Sequence, residues 1–103
     1  MRVISRCALR EFWEVHTASK DSLAAWFRLM ERSDLGDFNA TKRAFGTADY
    51  VAPYTVFNVG GNNYRVITVV HYDRRRVYVR HVFTRAEYDR WSDRTRRTKR
   101  DKR

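Results

Sequence analysis

Three β-rich runs separated by two turn signals, between residues 54 and 84, most constrain what this chain can fold into. The first turn, residues 60–63, is Gly-Gly-Asn-Asn, which supplies the positive-φ residues that a tight hairpin needs. The second turn, residues 73–76, is Asp-Arg-Arg-Arg. The runs beside them alternate with a period of two and are rich in Val, Ile and Tyr. The pattern therefore predicts two consecutive hairpins.

Apolar residues at helical spacing occupy the N-terminal part of the chain. One stripe predicts an amphipathic helix over residues 6–15, and a second over residues 23–30 follows after a short connection, so the two helices should pack antiparallel. We expect an α+β fold in which this helical hairpin covers a twisted, mainly antiparallel sheet of three to four strands. Residues 2–4 are a candidate edge strand, and residues 86–91 should form a short C-terminal helix.

The positive charge is concentrated in the C-terminal part of the 103 residues. The formal net charge is +10, and residues 74–103 hold thirteen basic against four acidic groups. Such asymmetry favours a polyanionic partner, nucleic acid before membrane. Residues 92–103 contain no apolar side chain. We therefore predict one domain over residues 1–91 and a basic, flexible tail over residues 92–103.

The two hairpins can be combined into one assignment of sheet faces. If Gly61-Asn62 and Arg74-Arg75 are the loop centres, Arg65 lies opposite Asn58 on one side and Thr84 on the other. The core face then includes the polar His81 and its neighbour Phe83. The outer face carries the polar and charged residues from which a binding surface could be built, namely Asn58, Arg65, His71, Tyr78 and Arg80.

Several kinds of site and location are excluded or disfavoured by the sequence. The three histidines and the single Cys7 lack the paired spacing of a zinc site, and we expect neither a metal nor a cofactor. A lone cysteine cannot form an internal disulfide, which fits a reducing cytoplasm. No apolar run approaches the ~20 residues that a membrane-spanning helix needs. We expect a cytoplasmic protein without a membrane partner.

The remaining candidates for chemistry are Arg65, Arg80, Arg85 and Tyr88. RNA can be cleaved by its own 2′-hydroxyl if that group is aligned with the adjacent phosphate, loses its proton, and the phosphorane charge is stabilised. Arginines are fixed, permanently charged donors for the phosphate. Neighbouring guanidinium groups favour the phenolate of a tyrosine, which could then act as a base. These residues suggest RNA chemistry, although arginines on a sheet face are more often solvated or ion-paired.

Several collinear motifs resemble those of a HigB-type toxin of the RelE superfamily. The resemblance runs from residue 1 to about residue 91, and the order of its motifs is more specific than any one of them. The motifs are the start Met1-Arg2-Val3-Ile4-Ser5-Arg6, the segment Leu9-Arg10-Glu11-Phe12-Trp13-Glu14, Ala25-Trp26, Val56-Phe57-Asn58-Val59-Gly60-Gly61-Asn62, Tyr64-Arg65, Val77-Tyr78-Val79-Arg80 and Thr84-Arg85-Ala86-Glu87-Tyr88-Asp89.

The resemblance implies a RelE-like fold and the toxic half of a bacterial type II toxin–antitoxin pair. Members of the family are metal-independent endoribonucleases that typically cleave mRNA in the ribosomal A site. They are silenced by a HigA-like antitoxin with a helix-turn-helix domain, through which alone they meet operator DNA. We therefore expect an mRNA interferase whose partners are mRNA, the ribosome and such an antitoxin.

The resemblance also implies roles for individual residues. Arg65 matches the arginine on the second sheet strand that grips the phosphate, Arg80 the arginine of a Tyr-x-Arg strand, and Tyr88 the tyrosine of the closing motif. Arg85 stands where the family usually has histidine, and an arginine cannot shuttle protons. It could act as a charge clamp, which leaves the general acid open between His71, Tyr88 and a group of ribosomal RNA.

RNA binding is expected to extend beyond these catalytic candidates. The expected RNA-binding residues are Asn58, Tyr78, Arg74, Arg75 and Arg76, together with Arg94, Arg96, Arg97, Lys99 and Arg100 of the tail.

Two rival functions stay open. One is a toxin of the same fold that binds a protein such as gyrase and cleaves nothing, and the other is a small RNA-binding module. Whatever its function, Arg65 is expected to be a surface residue, so its replacement by alanine should cost no more than about half a kcal/mol of stability.

Overall fold

A computed structural model describes the backbone of residues 1–101 and the side chains of residues 1–95. Within that part of the chain, helices lie against a five-stranded sheet, so the α+β class is confirmed. The elements in chain order are β1 (Arg2–Ile4), α1 (Cys7–Val15), a 3-10 turn (Thr17–Ser19), α2 (Lys20–Arg32), α3 (Phe38–Ala44), β2 (Asp49–Val51), β3 (Tyr54–Val59), β4 (Tyr64–His71), β5 (Arg76–Thr84) and α4 (Arg85–Asp101).

The strand order is β1-β5-β4-β3-β2. The pairs from β2 to β5 are antiparallel, and β1 adds to the far edge in parallel to β5. The expected edge strand is therefore present. The number of strands was underestimated, because β2 has only three residues and follows no alternating pattern that could reveal it.

The hydrophobic core lies between the N-terminal helices and one face of the sheet. Leu9, Leu23 and Met30 from α1 and α2 are at most 1% exposed and belong to the same cluster as Phe57 and Val66 of the sheet. The pairing of β3 with β4 places Asn58 opposite Arg65, as the sequence predicts. Because side chains alternate along a strand, Arg65 lies on the face turned away from α1 and α2.

A β-bulge in β5 changes the assignment of its last residues. Near the turn the ladder is regular, with Thr68 opposite Val79; beyond it Ile67 pairs with His81, which leaves Arg80 as the extra residue. Each residue of β5 after Arg80 therefore lies on the opposite face of the sheet from the one that regular alternation predicts. The prediction that His81 and Phe83 point into the core is wrong: they lie on the outer face, whereas Val82 packs against the core. Arg65 is opposite Phe83, not Thr84.

The C-terminal helix is longer than the sequence suggests. It runs from Arg85 to Asp101, whereas the sequence predicts a short helix over residues 86–91. This segment contains neither glycine nor proline, and arginine and lysine are good helix formers. Ser92 is only 4% exposed, so the helix is still in contact with the protein beyond Trp91.

The turn between β4 and β5 is anchored to the segment around α3. Arg75, at a φ of 55°, donates from Nη1 to the carbonyl of Leu35 at 2.9 Å and pairs through Nε with Asp34 at 2.9 Å. Nearby, the hydroxyls of Tyr72 and Thr41 are 2.9 Å apart. Burial raises the pKa of the Tyr72 hydroxyl, although its bond to Thr41 opposes the rise. Arg75 thus has a structural role that its placement in a basic turn did not reveal.

We expect Arg75→Ala to lower the free energy of unfolding by about 1 kcal/mol, mainly through the lost bond to a backbone carbonyl. The exposed ion pair with Asp34 should add little. Arg74→Ala, at the neighbouring exposed position, is the matched control and should change stability by less than about 0.5 kcal/mol. Urea unfolding measures both. Equal stabilities of the two variants would contradict the anchoring role.

Candidate functional site

The hairpin between β3 and β4 forms one wall of the candidate site. Gly60, Gly61 and Asn62 all have positive φ, at 66°, 60° and 83°. A Cβ at Gly60 would lie 2.8 Å from the ring of Tyr64, so this position needs glycine for space as well as for conformation. The turn therefore has a fixed shape, and it presents the side chain of Asn62 to the adjacent strands.

Asn62 and Arg65 form the centre of the site. The Nη1 atom of Arg65 donates to the carbonyls of Asn62 and Tyr64 at 3.0 and 3.1 Å, and Nη2 donates to Oδ1 of Asn62 at 2.7 Å. The same Oδ1 accepts from Nδ2 of Asn58 at 3.4 Å. Arg65 is only 8% exposed. It is therefore a buried, hydrogen-bonded residue, not the surface arginine that the sequence predicted.

The start of α4 forms the second wall. The backbone N–H of Thr84 donates to Oε1 of Glu87 at 2.8 Å, and the N–H of Glu87 donates to Oγ1 of Thr84 at 3.3 Å, which is a capping box. The backbone N–H of Arg85 donates to the carbonyl of Asn63 at 3.0 Å. The first turn of α4 is thus fixed to the hairpin. As a result, the ring of Tyr88 lies 5.5 Å from Cζ of Arg65, in a cation–π contact.

An aromatic cluster continues the site along the outer face of the sheet. The Trp91 ring lies 5.2 Å from Tyr54 and 5.9 Å from each of His81, Phe83 and Tyr88. His81 stacks on Phe83 at 5.1 Å with an interplanar angle of 10°. The β-bulge therefore brings a histidine onto the surface that Arg65 and Tyr88 share.

The surroundings of His81 affect its protonation. Burial against neighbouring groups lowers the pKa of His81 below its ordinary value of 6.5, and the positive charge of Arg80 lowers it further. The imidazole is therefore mainly neutral at pH 7. A neutral imidazole has one nitrogen that can accept a proton, so His81 can serve as a base.

The other two predicted arginines are exposed at the edges of this surface. Arg80 occupies the bulge beside His81, and Arg85 is the first residue of α4. Arg65 is buried and bonded to carbonyl groups, whereas Arg80 and Arg85 are exposed, and neither of these two takes part in an ion pair within the described side chains. Both guanidinium groups are accessible to a phosphate.

The predicted residues at the turn between β4 and β5 lie away from this surface. His71 is six residues along β4 from Arg65, which is roughly 20 Å at about 3.3 Å per residue. There it contacts Tyr78 with ring centroids 5.1 Å apart, and Nη1 of Arg76 lies 3.5 Å from the Tyr78 hydroxyl. Arg74 and Arg75 belong to the same turn. The structure thus separates the predicted residues into two groups.

The basic residues of the predicted tail lie on α4. Arg94 is exposed on the helix. Arg96, Arg97, Lys99 and Arg100 belong to the helical backbone, but their side chains lie outside the described residues. Among the side chains that are described, no group of three or more His, Cys, Asp or Glu could hold a metal ion. No helix in the described part of the chain is long and apolar enough to cross a membrane.

Comparisons with known proteins decide the family. The model of the family described as "HigB_toxin, RelE-like toxic component of a toxin-antitoxin system" matches residues 19–91. The chain belongs to the HigB family of RelE-like toxins. It is 32% identical over 92 residues to the "mRNA interferase toxin HigB" of Escherichia coli K12, which covers 86% of this chain and 88% of the relative.

Two further HigB relatives match over the same length. The "mRNA interferase HigB" of Shigella flexneri is also 32% identical, with 86% of this chain and 88% of the relative covered. That of Escherichia coli O6:H1 is 29% identical, with coverages of 86% and 89%. A HigB toxin is the toxic component of a toxin–antitoxin system, so a cognate antitoxin is its partner.

Sequence reasoning missed two residues of this candidate site. Asn62 was recognised only as a turn residue, although its side chain holds Arg65 in place. His81 was assigned to the core because nothing in an alternating strand announces a bulge. A signal was nevertheless present, since a histidine among the apolar residues of a predicted core face is itself a reason to question the register.

The burial of Arg65 changes the expected result of replacing it. We predict that Arg65→Ala lowers the free energy of unfolding by about 1–3 kcal/mol, because two carbonyls and Asn62 lose their donor. Arg80→Ala, at an exposed arginine, is the control and should stay within about 0.5 kcal/mol of the parent. Urea unfolding distinguishes the two variants. A stability loss for Arg65→Ala as small as that of the control would show that the buried hydrogen bonds contribute little.

Proposed function

We propose that this chain is an mRNA interferase, a toxin that cleaves mRNA and is neutralised by its antitoxin. The relatives named above carry that activity in their names. The observation that carries the proposal is the contact of the Arg65 guanidinium with the Tyr88 ring, held in place by Asn62 and the capping box. This arrangement combines a fixed positive charge with a proton-carrying hydroxyl beside an open, basic surface.

The proposed reaction is an internal transfer within the RNA. The 2′-oxygen attacks the adjacent phosphorus as its proton leaves, and the bond from phosphorus to the 5′-oxygen breaks. That oxygen receives a proton, so the products are a 2′,3′-cyclic phosphate and a 5′-hydroxyl. The protein must align the 2′-oxygen, accept one proton, donate another and stabilise the extra negative charge on the phosphorane.

The charge is stabilised by arginines in this proposal. Arg80 and Arg85 are exposed and can bind the phosphate directly. Arg65 lies at the centre of the site, and it binds the phosphate through the N–H groups that are not bonded to Asn62 or Tyr64. Because guanidinium groups supply positive charge without a metal, we propose that cleavage is metal-independent and needs no cofactor.

Tyr88 and His81 are the proposed proton carriers. Both rings lie 5.9 Å from Trp91, and the lowered pKa of His81 suits it to accept the proton of the 2′-hydroxyl. The Tyr88 hydroxyl then donates to the 5′-oxygen. An arginine side chain keeps its proton in proteins, so Arg85 supplies positive charge but does not transfer a proton. His71, about 20 Å along β4, is a less suitable candidate on distance.

The wider surroundings of the reaction form part of the same proposal. The toxin acts in the cytoplasm on mRNA, which the ribosome presents to it, and the basic residues of α4 contact RNA phosphates at a salt-dependent energy. These residues include Arg94 and, with side chains outside the described part, Arg96, Arg97, Lys99 and Arg100. Asn58 supports the hairpin beside the RNA. At the turn between β4 and β5, Arg74, Arg76 and Tyr78 form a second contact with RNA. The antitoxin is HigA-like and carries a helix-turn-helix domain that binds the operator.

The proposal is tested by cleavage of mRNA on purified translating ribosomes. The parent should yield 5′-hydroxyl and cyclic or 3′-phosphate ends, and Tyr88→Phe should be slower by roughly 10²–10⁴-fold, the usual scale for a lost proton-transfer group. Tyr50→Phe removes a hydroxyl at an exposed position and is the matched control. Full activity of Tyr88→Phe would remove Tyr88 from the reaction. Growth arrest without any RNA cleavage would favour a toxin that binds a protein such as gyrase.

The role of His81 predicts a change in the pH profile. If neutral His81 accepts the proton, the rate should fall as the pH drops through its pKa, which lies below 6.5. We expect His81→Asn to slow cleavage by about 10²-fold or more at pH 7.5 and to remove this acidic limb. His71→Asn is the control and should keep both the rate and the profile. An unchanged acidic limb in His81→Asn would assign the titration to another group.

A further inference from the structure

A groove between α1 and α2 is a second concave surface, distinct from the proposed cleavage site. Its volume is about 330 Å³, within the range of pockets that bind ligands. Leu9 and Ala24 line its floor, and the half-buried rings of Trp13 and Phe27 form its sides. Because α1 and α2 cover the core face of the sheet and Arg65 lies on its outer face, the groove and Arg65 are on opposite sides of the sheet.

The rim of the groove is basic. Arg6, Arg10 and Arg28 line it, all three are exposed, and no carboxylate contributes to the lining. Cζ of Arg6 lies 5.8 Å from the centre of the Phe27 ring. Among the side chains that the structure describes, none of the three arginines is in an ion pair. The groove therefore combines an apolar floor with three uncompensated positive charges.

We propose that this groove binds an acidic, amphipathic helical segment of the antitoxin. Apolar side chains at i and i+3 or i+4 would enter between Trp13 and Phe27, as in other helix-in-groove complexes. Aspartate or glutamate residues beside them would pair with the arginines of the rim. Family membership requires an antitoxin, and the charge and shape of the groove indicate which chemistry the antitoxin must present here. This inference does not depend on the proposed chemistry of RNA cleavage.

A protein segment fits this groove better than RNA does. RNA bound to Arg80 and Arg85 lies on the outer face of the sheet, whereas the groove opens on the helical layer. The floor is formed by Leu9 and Ala24, which offer apolar contact but no hydrogen bonds from their side chains. Binding of a helix would bury this apolar surface and neutralise the rim at the same time.

The test is charge reversal at the rim, with a control of equal charge. The triple variant Arg6→Glu, Arg10→Glu, Arg28→Glu is compared with Lys20→Glu, Arg32→Glu, Arg43→Glu, which changes three exposed basic residues outside the groove. The probe is the purified cognate antitoxin. We expect the rim variant to bind it about 100-fold or more weakly, because like charges across an interface are strongly unfavourable, and the control to stay within about threefold.

A second variant tests the apolar part of the groove without changing the charge. Ala24→Trp should fill the space between Trp13 and Phe27 and weaken antitoxin binding by about tenfold or more. Circular dichroism and thermal unfolding establish that each variant is folded, and mRNA cleavage without antitoxin is measured separately. The proposal expects both groove variants to cleave like the parent but to escape neutralisation.

Three outcomes would overturn the proposal. The first is parental antitoxin affinity in both folded groove variants. The second is an equal loss of affinity in the rim variant and its charge-matched control, which would indicate general electrostatic attraction. The third is a loss of cleavage with unchanged antitoxin affinity, which would make the groove a surface for RNA. Failure of the parent to cleave mRNA would contradict the proposed function but not this inference, since antitoxin binding is measured directly.

Discussion

The hydrogen bonds between Arg65 and Asn62 are the interaction on which the candidate site depends. They join β4 to the turn that precedes it. The same turn also holds the start of α4, because the carbonyl of Asn63 accepts a hydrogen bond from the backbone N–H of Arg85. Each partner is restricted for its own reason, because Asn62 has positive φ and Arg65 is nearly buried. A long cationic side chain is thus held in one orientation before any RNA arrives. Such preorganisation lowers the entropic cost of binding RNA.

The division of the arginines into buried and exposed groups follows from this arrangement. Arg65 has carbonyl partners, so its charge is fixed within the protein, whereas Arg80 and Arg85 remain open to a ligand. A buried charge with hydrogen-bond partners is less affected by salt than an exposed one. The inner part of the site should therefore keep its geometry at ionic strengths that weaken RNA binding. The three arginines of the candidate site thus have different physical roles.

Most of the fold, but only part of the site, could be predicted from the sequence. Alternation and the Gly-Gly-Asn-Asn turn correctly predicted the β3–β4 hairpin and the pairing of Asn58 with Arg65, because both signals are local. The bulge at Arg80 was missed, because alternation along a strand does not reveal an extra residue and the only sign of it was a histidine on the predicted core face. The burial of Arg65 was missed for a related reason. Alternation assigns a residue to a face, but it does not reveal that a helix will cover that face.

The parallel pairing of β1 with β5 has a consequence for the order of folding. Arg2 pairs with Arg76, 74 positions later, whereas Asn62 and Arg65 are three positions apart. Contacts between distant residues close slowly because a long loop must first be ordered. We therefore expect the β3–β4 hairpin to form early and the N-terminal strand to dock late. A chain that has just folded its hairpin already holds Arg65 in place, but it still lacks one edge of its sheet.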